Sequence, residues 1–275
     1  MQSIIVDLNE NIDALYKVTE KNRCDKFNFI KLDNGAEFSS NDTAFLQLKV
    51  AEILTEYIIE NEEENLLKMT ILSDYPFLNY SEKNKIFAAS IWLIKNNEND
   101  FLRMLILLKR RFLIKQNILD YLKENSYMNL KGFTSFRLTA YKKMLSELVQ
   151  KVIEDYKIQQ EYKEFISMLK YFVETQKKRC KKLHVVFEEN GEYTLLDENN
   201  CDITDKCFSE FSETKEKNNL NNEDVLISSL ISLAPRKLFL HFESENYNKR
   251  IVSTISQIFE NKVYISSEPL LEVVR

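Results

Sequence analysis

Glycine and proline occur only three times each in 275 residues. The glycines stand at 35, 132 and 191, far apart, whereas a phosphate-cradling loop or a dinucleotide turn needs clustered glycines so that backbone N–H groups can close on the ligand. The common nucleotide-binding folds are thereby excluded. Histidine occurs twice, as His184 and His241. Neither stands in H-E-x-x-H, and G-x-S-x-G is absent, which removes the familiar zincin and serine-hydrolase centres. Long apolar runs are missing too: the most apolar helical stretch, Phe101 to Ile114, is interrupted by Arg103, Lys109, Arg110 and Arg111 and falls short of the ~20 apolar residues of a membrane span. Met1 to Asp7 lacks the basic start and apolar core of a secretory leader. The expectation is a cytoplasmic chain without a transmembrane segment. Four cysteines, at 24, 180, 201 and 207, form no dense framework and read as free thiols in a reducing compartment.

What the chain has in quantity is helical periodicity. Between Gly132 and Gly191 there is no glycine or proline, and Phe133, Phe136, Tyr141, Leu145, Leu148, Val152 and Tyr156 recur at helical spacing, continued by Ile158, Tyr162, Phe165, Leu169 and Phe172. This predicts one or two long amphipathic helices with that stripe in the core. Upstream, Ser3–Leu8 and Phe27–Leu32 read as strands around a helix over 11–21, with a turn at Asp33-Asn34-Gly35. A helix begins near Thr43, capped by Asn41 or Asp42, and the acidic run Glu60 to Glu64 ends or loosens it. Further helices are expected over 66–72, from a Ser81 cap through Ile94, and from Asp100 to about Asn125.

After Lys182 the period changes to alternation. Leu183, Val185 and Phe187 face one way and His184 and Val186 the other, and Asn190-Gly191 favours a hairpin turn returning at Tyr193 to Leu196. A helix capped by Asn222 and stopped by Pro235, a strand over Lys237–Phe242, a helix over 246–259 and a strand over 262–266 complete a βαβ pattern. The predicted fold is α+β: a predominantly helical body packed on a small mixed β-sheet built from the C-terminal third, which the N-terminal strands are available to complete. The predicted division is a small mixed unit over 1–42, a helical body over 43–180 and a hairpin plus βαβ unit over 181–275.

The order of residues in Gly132-Phe133-Thr134-Ser135-Phe136-Arg137-Leu138, in Tyr162-Lys163-Glu164-Phe165-Ile166 and in Lys170-Tyr171-Phe172-Val173-Glu174-Thr175-Gln176 resembles the YtxC-like family of sporulation proteins. The resemblance continues through His184-Val185-Val186, Leu226 to Ile231, Ala234-Pro235-Arg236-Lys237, Thr254-Ile255 and Phe259. It implies a cytoplasmic protein of endospore-forming bacteria with a role around sporulation and an unidentified protein partner. It brings no catalytic signature.

Three kinds of site are open to the residues themselves. Arg137, Tyr171, Glu174 and Gln176, with Arg236 and His241, could line a groove for a small anion or a partner peptide, Arg137 being within reach of a carboxylate such as Glu161 or Glu174. Lys109, Arg110 and Arg111, and the run Lys177, Lys178, Arg179, Lys181 and Lys182, could engage the phosphates of a nucleic acid even on a chain of net charge −5, because local basic patches act locally. An enzyme centred on His241 is the third alternative. Cys180, His184, Cys201 and Cys207 include the soft ligands that zinc takes, but without the close pairs zinc sites use, so no metal and no cofactor is expected. The leading expectation is a protein that acts through a binding surface. Its oligomeric state is left open.

Overall fold

The structure is a computed structural model that describes residues 2–8, 11–95, 101–188, 192–209, 221–242 and 247–266, without the side chains of 101–104, 106, 107 and 266. The chain forms two compact units, Met1–Lys157 and Ile158–Arg275.

The first unit begins with β1 (Gln2–Asp7), α1 (Ile12–Lys21), β2 (Asn28–Leu32) and β3 (Gly35–Ser40). β4 (Tyr127–Asn129) comes much later and pairs parallel to β1, giving a four-stranded sheet in the order β2-β3-β1-β4. The N-terminal strands therefore do not complete the C-terminal sheet; they build their own. β3, which sequence periodicity passes over, is the reason, since it pairs antiparallel with both β1 and β2. Gly35 is required at its start because a Cβ there would lie 2.0 Å from the Val6 carbonyl oxygen.

The helices of this unit are α2 (Thr43–Tyr57), α3 (Glu63–Asp74), α4 (Tyr80–Lys95), α5 (Phe101–Leu122), α6 (Leu130–Phe136) and the first part of α7 (Thr139–Thr175). Asp42 caps α2 by accepting from the Phe45 N–H, 3.1 Å. α4 is opened by Asn79 rather than Ser81: the Asn79 side chain accepts from the Glu82 N–H while the Glu82 carboxylate accepts from the Asn79 N–H, a reciprocal capping box. The acidic run after α2 does not end the helix. It is taken up in a π-helical turn, Ile58–Glu62, that leads directly into α3. One core cluster gathers Val6, Phe38, Leu54, Ile118 and Leu145, among others.

The second unit contains the rest of α7, β5 (Lys182–Phe187), β6 (Tyr193–Leu196), α8 (described over 204–209), α9 (Asn222–Leu233), β7 (Lys237–Phe242), α10 (Lys249–Phe259) and β8 (Val263–Ser266). The sheet order is β6-β5-β7-β8, with β5/β6 antiparallel and β5/β7 and β7/β8 parallel. The hairpin and the βαβ pattern are as expected from the alternation, although Asn190-Gly191 lies outside the described residues. Asn221, one residue before the expected Asn222, caps α9 by accepting from the Asp224 N–H, 2.8 Å. Ala234 then turns left-handed, φ 41, before Pro235.

Alternation decides what each strand buries. Leu183, Val185 and Phe187, Tyr193 and Leu195, and Leu238 and Leu240 join Leu226, Leu230, Ile251, Ile255 and Phe259 in one cluster. Ile166 and Val173 of α7 join them, whereas Ile158, Phe165 and Phe172, expected in the core, are 64%, 50% and 45% exposed. Neighbouring positions on a helix differ by about 100°, so two adjacent lines of apolar residues both satisfy the helical period. The sheet takes the Ile166/Val173 line. Phe136, at the C-terminal end of α6, is likewise exposed.

Candidate functional site

Residues of the second sheet that alternate away from the cluster form a face of different chemistry. Register places them in rows: Lys182 beside Lys237, then Leu196, His184, Phe239 and Tyr264, then Val186 and His241. None of Leu196, His184, Val186, Phe239 or Tyr264 belongs to the unit's apolar cluster or packs against it. The face is thus the side opposite the one that the apolar residues of the helices cover.

The middle row is a continuous platform of rings. His184 stacks on Phe239 at 4.8 Å between centroids with 12° between planes, and Phe239 stacks on Tyr264 at 5.2 Å and 23°. His184 Nδ1 lies 2.9 Å from His241 Nε2, so one ring donates to the other. His241 is buried; His184 is half-buried, and burial, then His241, then Lys182 push its pKa below the ordinary 6.5. The platform is therefore uncharged at neutral pH, and the positive charge lies at its edge.

That edge is built by backbone pairing. The Arg236 N–H donates to the Cys180 carbonyl, 3.2 Å, and the Lys237 N–H to the Lys181 carbonyl, 3.1 Å. These bonds bring the run ending at Lys182 beside Arg236 and Lys237, all with exposed side chains. Lys182 and Lys237 are directly opposed like charges, which are destabilising in a ladder. Lys237 Nζ finds the Tyr264 ring, 5.6 Å from its centroid. None of Lys181, Lys182, Arg236 and Lys237 makes an ion pair among the described residues.

The remaining sequence-derived candidates distribute differently. Arg137 caps the C-terminus of α6 in the first unit, where its guanidinium carbon lies 5.9 Å from the Tyr121 ring centroid. Tyr171, Glu174 and Gln176 belong to the second unit, exposed at the end of α7. On α5, Lys109 and Arg111 are exposed, but Arg110 turns inward: its Nη1 bonds both carboxylate oxygens of buried Glu63, 3.1 and 2.9 Å, and the buried Tyr141 hydroxyl donates to the same carboxylate. Lys177 and Lys178 are exposed and Arg179 lies beside α9, its N–H donating to the Leu233 carbonyl. Cys180 donates its thiol to the Lys182 carbonyl, 2.6 Å, and its pKa is raised, chiefly by burial. Cys201 is exposed and Cys207 buried. Among the described residues no three His, Cys, Asp or Glu side chains are gathered as a metal site.

Phe239, Tyr264 and Lys237 are the functional candidates that motif reading passes over. A signal exists for two of them: β5 reads Lys-Leu-His-Val-Val-Phe and β7 reads Lys-Leu-Phe-Leu-His-Phe, hexapeptides that share their first, second and last residues and lie side by side in register. Duplicated period-two strings with one cationic end mark paired strands with a shared outer face.

The fold and this face define an α+β protein that presents a basic-edged aromatic sheet surface, and no helix among the described residues is long and apolar enough to cross a membrane. Over residues 48–264 the chain matches the model of the YtxC-like family, and it belongs to that family. It is 26% identical over 222 residues to "Uncharacterized protein YtxC" of Bacillus subtilis (strain 168), covering 79% of this chain and 76% of the relative. No solved structure matches it. The ring row and its basic edge lie within the family match.

Proposed function

We infer that the chain is a binding protein rather than an enzyme, and that its ligand is single-stranded nucleic acid laid across the outer face of the second sheet. The observation that carries this is the in-register row His184–Phe239–Tyr264 with Lys182 and Lys237 opposed at its edge. Unpaired bases stack on aromatic faces irrespective of sequence, contributing about 1–3 kcal/mol each, while cations follow the phosphates. A phosphate between Lys182 and Lys237 would also relieve their repulsion. The net charge of −5 does not oppose this, since at physiological salt charges beyond about 8 Å are screened. His241 as a catalytic base is disfavoured because its Nε2 is engaged by His184. A cytoplasmic, sporulation-associated setting belongs to the same proposal and rests on the family resemblance.

Fluorescence anisotropy with labelled oligo-dT and oligo-U against a duplex of equal length tests it. Single strands should bind more tightly, Phe239→Ala should weaken them by about tenfold or more, and Lys182→Gln should reduce the salt slope by about 0.7. Absence of single-strand binding at low salt would sink the proposal.

A further inference from the structure

The second unit also contains a cleft of about 300 Å³ lined by Arg179, Lys206, Cys207, Ser229 and Ser232, on other elements than the sheet face. Ser229 sits on α9 and is 1% exposed, yet its hydroxyl has no hydrogen-bond partner among the described residues. Three buried helical threonines donate to the carbonyl four residues back, Thr19 to Leu15, Thr55 to Ala51 and Thr70 to Leu66, whereas Ser90 on α4, like Ser229, has no partner among the described residues. What sets Ser229 apart is the cleft that it lines. A buried donor without an acceptor costs free energy that an arriving acceptor recovers. Arg179 and Lys206 are exposed and make no ion pair among the described residues, and none of the described residues lining the cleft is a carboxylate.

We propose that this cleft binds a small phosphate-bearing anion, held by Arg179 and Lys206 with Ser229 and Ser232 as hydroxyl donors. The donor set suits a tetrahedral oxyanion, which offers several acceptor oxygens at once and takes both a guanidinium fork and an ammonium. One local feature opposes it: Ser229, Ser232 and Leu233 lie near the C-terminal end of α9, which carries the negative pole of the helix dipole. That pole amounts to about half a charge. It is partly answered by the Arg179 N–H on the Leu233 carbonyl and the Ala234 N–H on the Leu230 carbonyl. Two full positive charges outweigh it, so the cleft stays attractive to an anion. The site needs neither the sheet face nor its ligand.

Thermal unfolding and titration calorimetry with inorganic phosphate, against chloride and acetate at matched ionic strength, test the assignment on the intact chain. Phosphate should raise the melting midpoint beyond the other two salts by mass action. Ser229→Ala should leave the unliganded midpoint unchanged or higher, because it deletes an unsatisfied group, while weakening phosphate by about tenfold. Lys206→Gln, at an exposed position, should weaken phosphate likewise and decides the matter should the serine variant not fold. Lys182→Gln with Lys237→Gln should leave the phosphate response intact, separating this cleft from the sheet edge. Equal midpoints in phosphate and chloride, acetate binding as tight as phosphate, or unaltered affinity in Lys206→Gln would each overturn the proposal.

Discussion

The two units contain four-stranded sheets of similar size but use charge in opposite ways. In the first, Asp7, which alternates away from the buried Ile4 and Val6, accepts from the Tyr127 hydroxyl and the Asn129 amide. The ion pairs of that unit include a buried one, Arg110 to Glu63, and the more exposed Lys115 to Glu52 and Lys21 to Glu56. In the second, Lys181, Lys182, Arg236 and Lys237 surround one sheet edge, and Arg179 and Lys206 one cleft, without a carboxylate partner among the described residues. A buried ion pair serves the fold that encloses it; cations grouped beside stacked rings without a carboxylate are placed where an arriving anion can meet them. The difference lies in side-chain chemistry rather than architecture.

The contrast can be broken hardest at Glu63. Burial pushes its carboxyl pKa up, against the pull of Tyr141 and Arg110, so Arg110→Met leaves a buried acid without its counter-charge and should cost about 3–5 kcal/mol in chemical denaturation. A loss below about 1 kcal/mol, the range of a surface pair, would place that ion pair with the solvated ones. Next in size, Leu240→Ala on the inner face of β7 should cost about 2–5 kcal/mol. Its neighbour Phe239→Ala should cost far less stability while abolishing most single-strand binding; equal stability losses would mean that the outer face is core after all.

The smallest effect is pH dependence. The chain's two histidines are both in the second unit, and the His184 pKa is lowered on folding. Between 6.5 and the folded value the unfolded chain binds the proton that the native ring refuses, so stability is complete above about pH 6.5 and declines as pH falls through that window. Midpoints measured from pH 7 to 5.5 should drop modestly in the parent and less in His184→Gln. An unchanged slope in the variant would remove His184 as the source.

Much of this was legible because local rules and tertiary structure agree. β7 was read to the residue since Lys237 to Phe242 alternates and Pro235 precedes it, and the α+β class followed from the change of period at Lys182. β3 escaped because Gly35, Ala36, Ser39 and Ser40 are small and carry little strand signal, and β4 is three residues long. Arg110 looked like its neighbours Lys109 and Arg111; only the distant Glu63 and Tyr141 distinguish it. The platform combined two strands whose likeness is visible, but its third ring, Tyr264, is joined only by the β8 register.

The wide turn at Ile58–Glu62 joins two buried lines that are out of phase. Continuing α2 at strict α-helical spacing past Val50, Leu54 and Tyr57 would point Asn61, Asn65 and Lys68 inward, whereas the observed buried positions are Glu63, Leu66, Leu67, Thr70 and Ile71. The turn acts as a swivel, rotating a polar flank out and an oily one in without interrupting the rod. Chain length across these five residues is therefore as constrained as composition: the wide turn takes up one residue, and inserting another would rotate every side chain of α3 by about 100°.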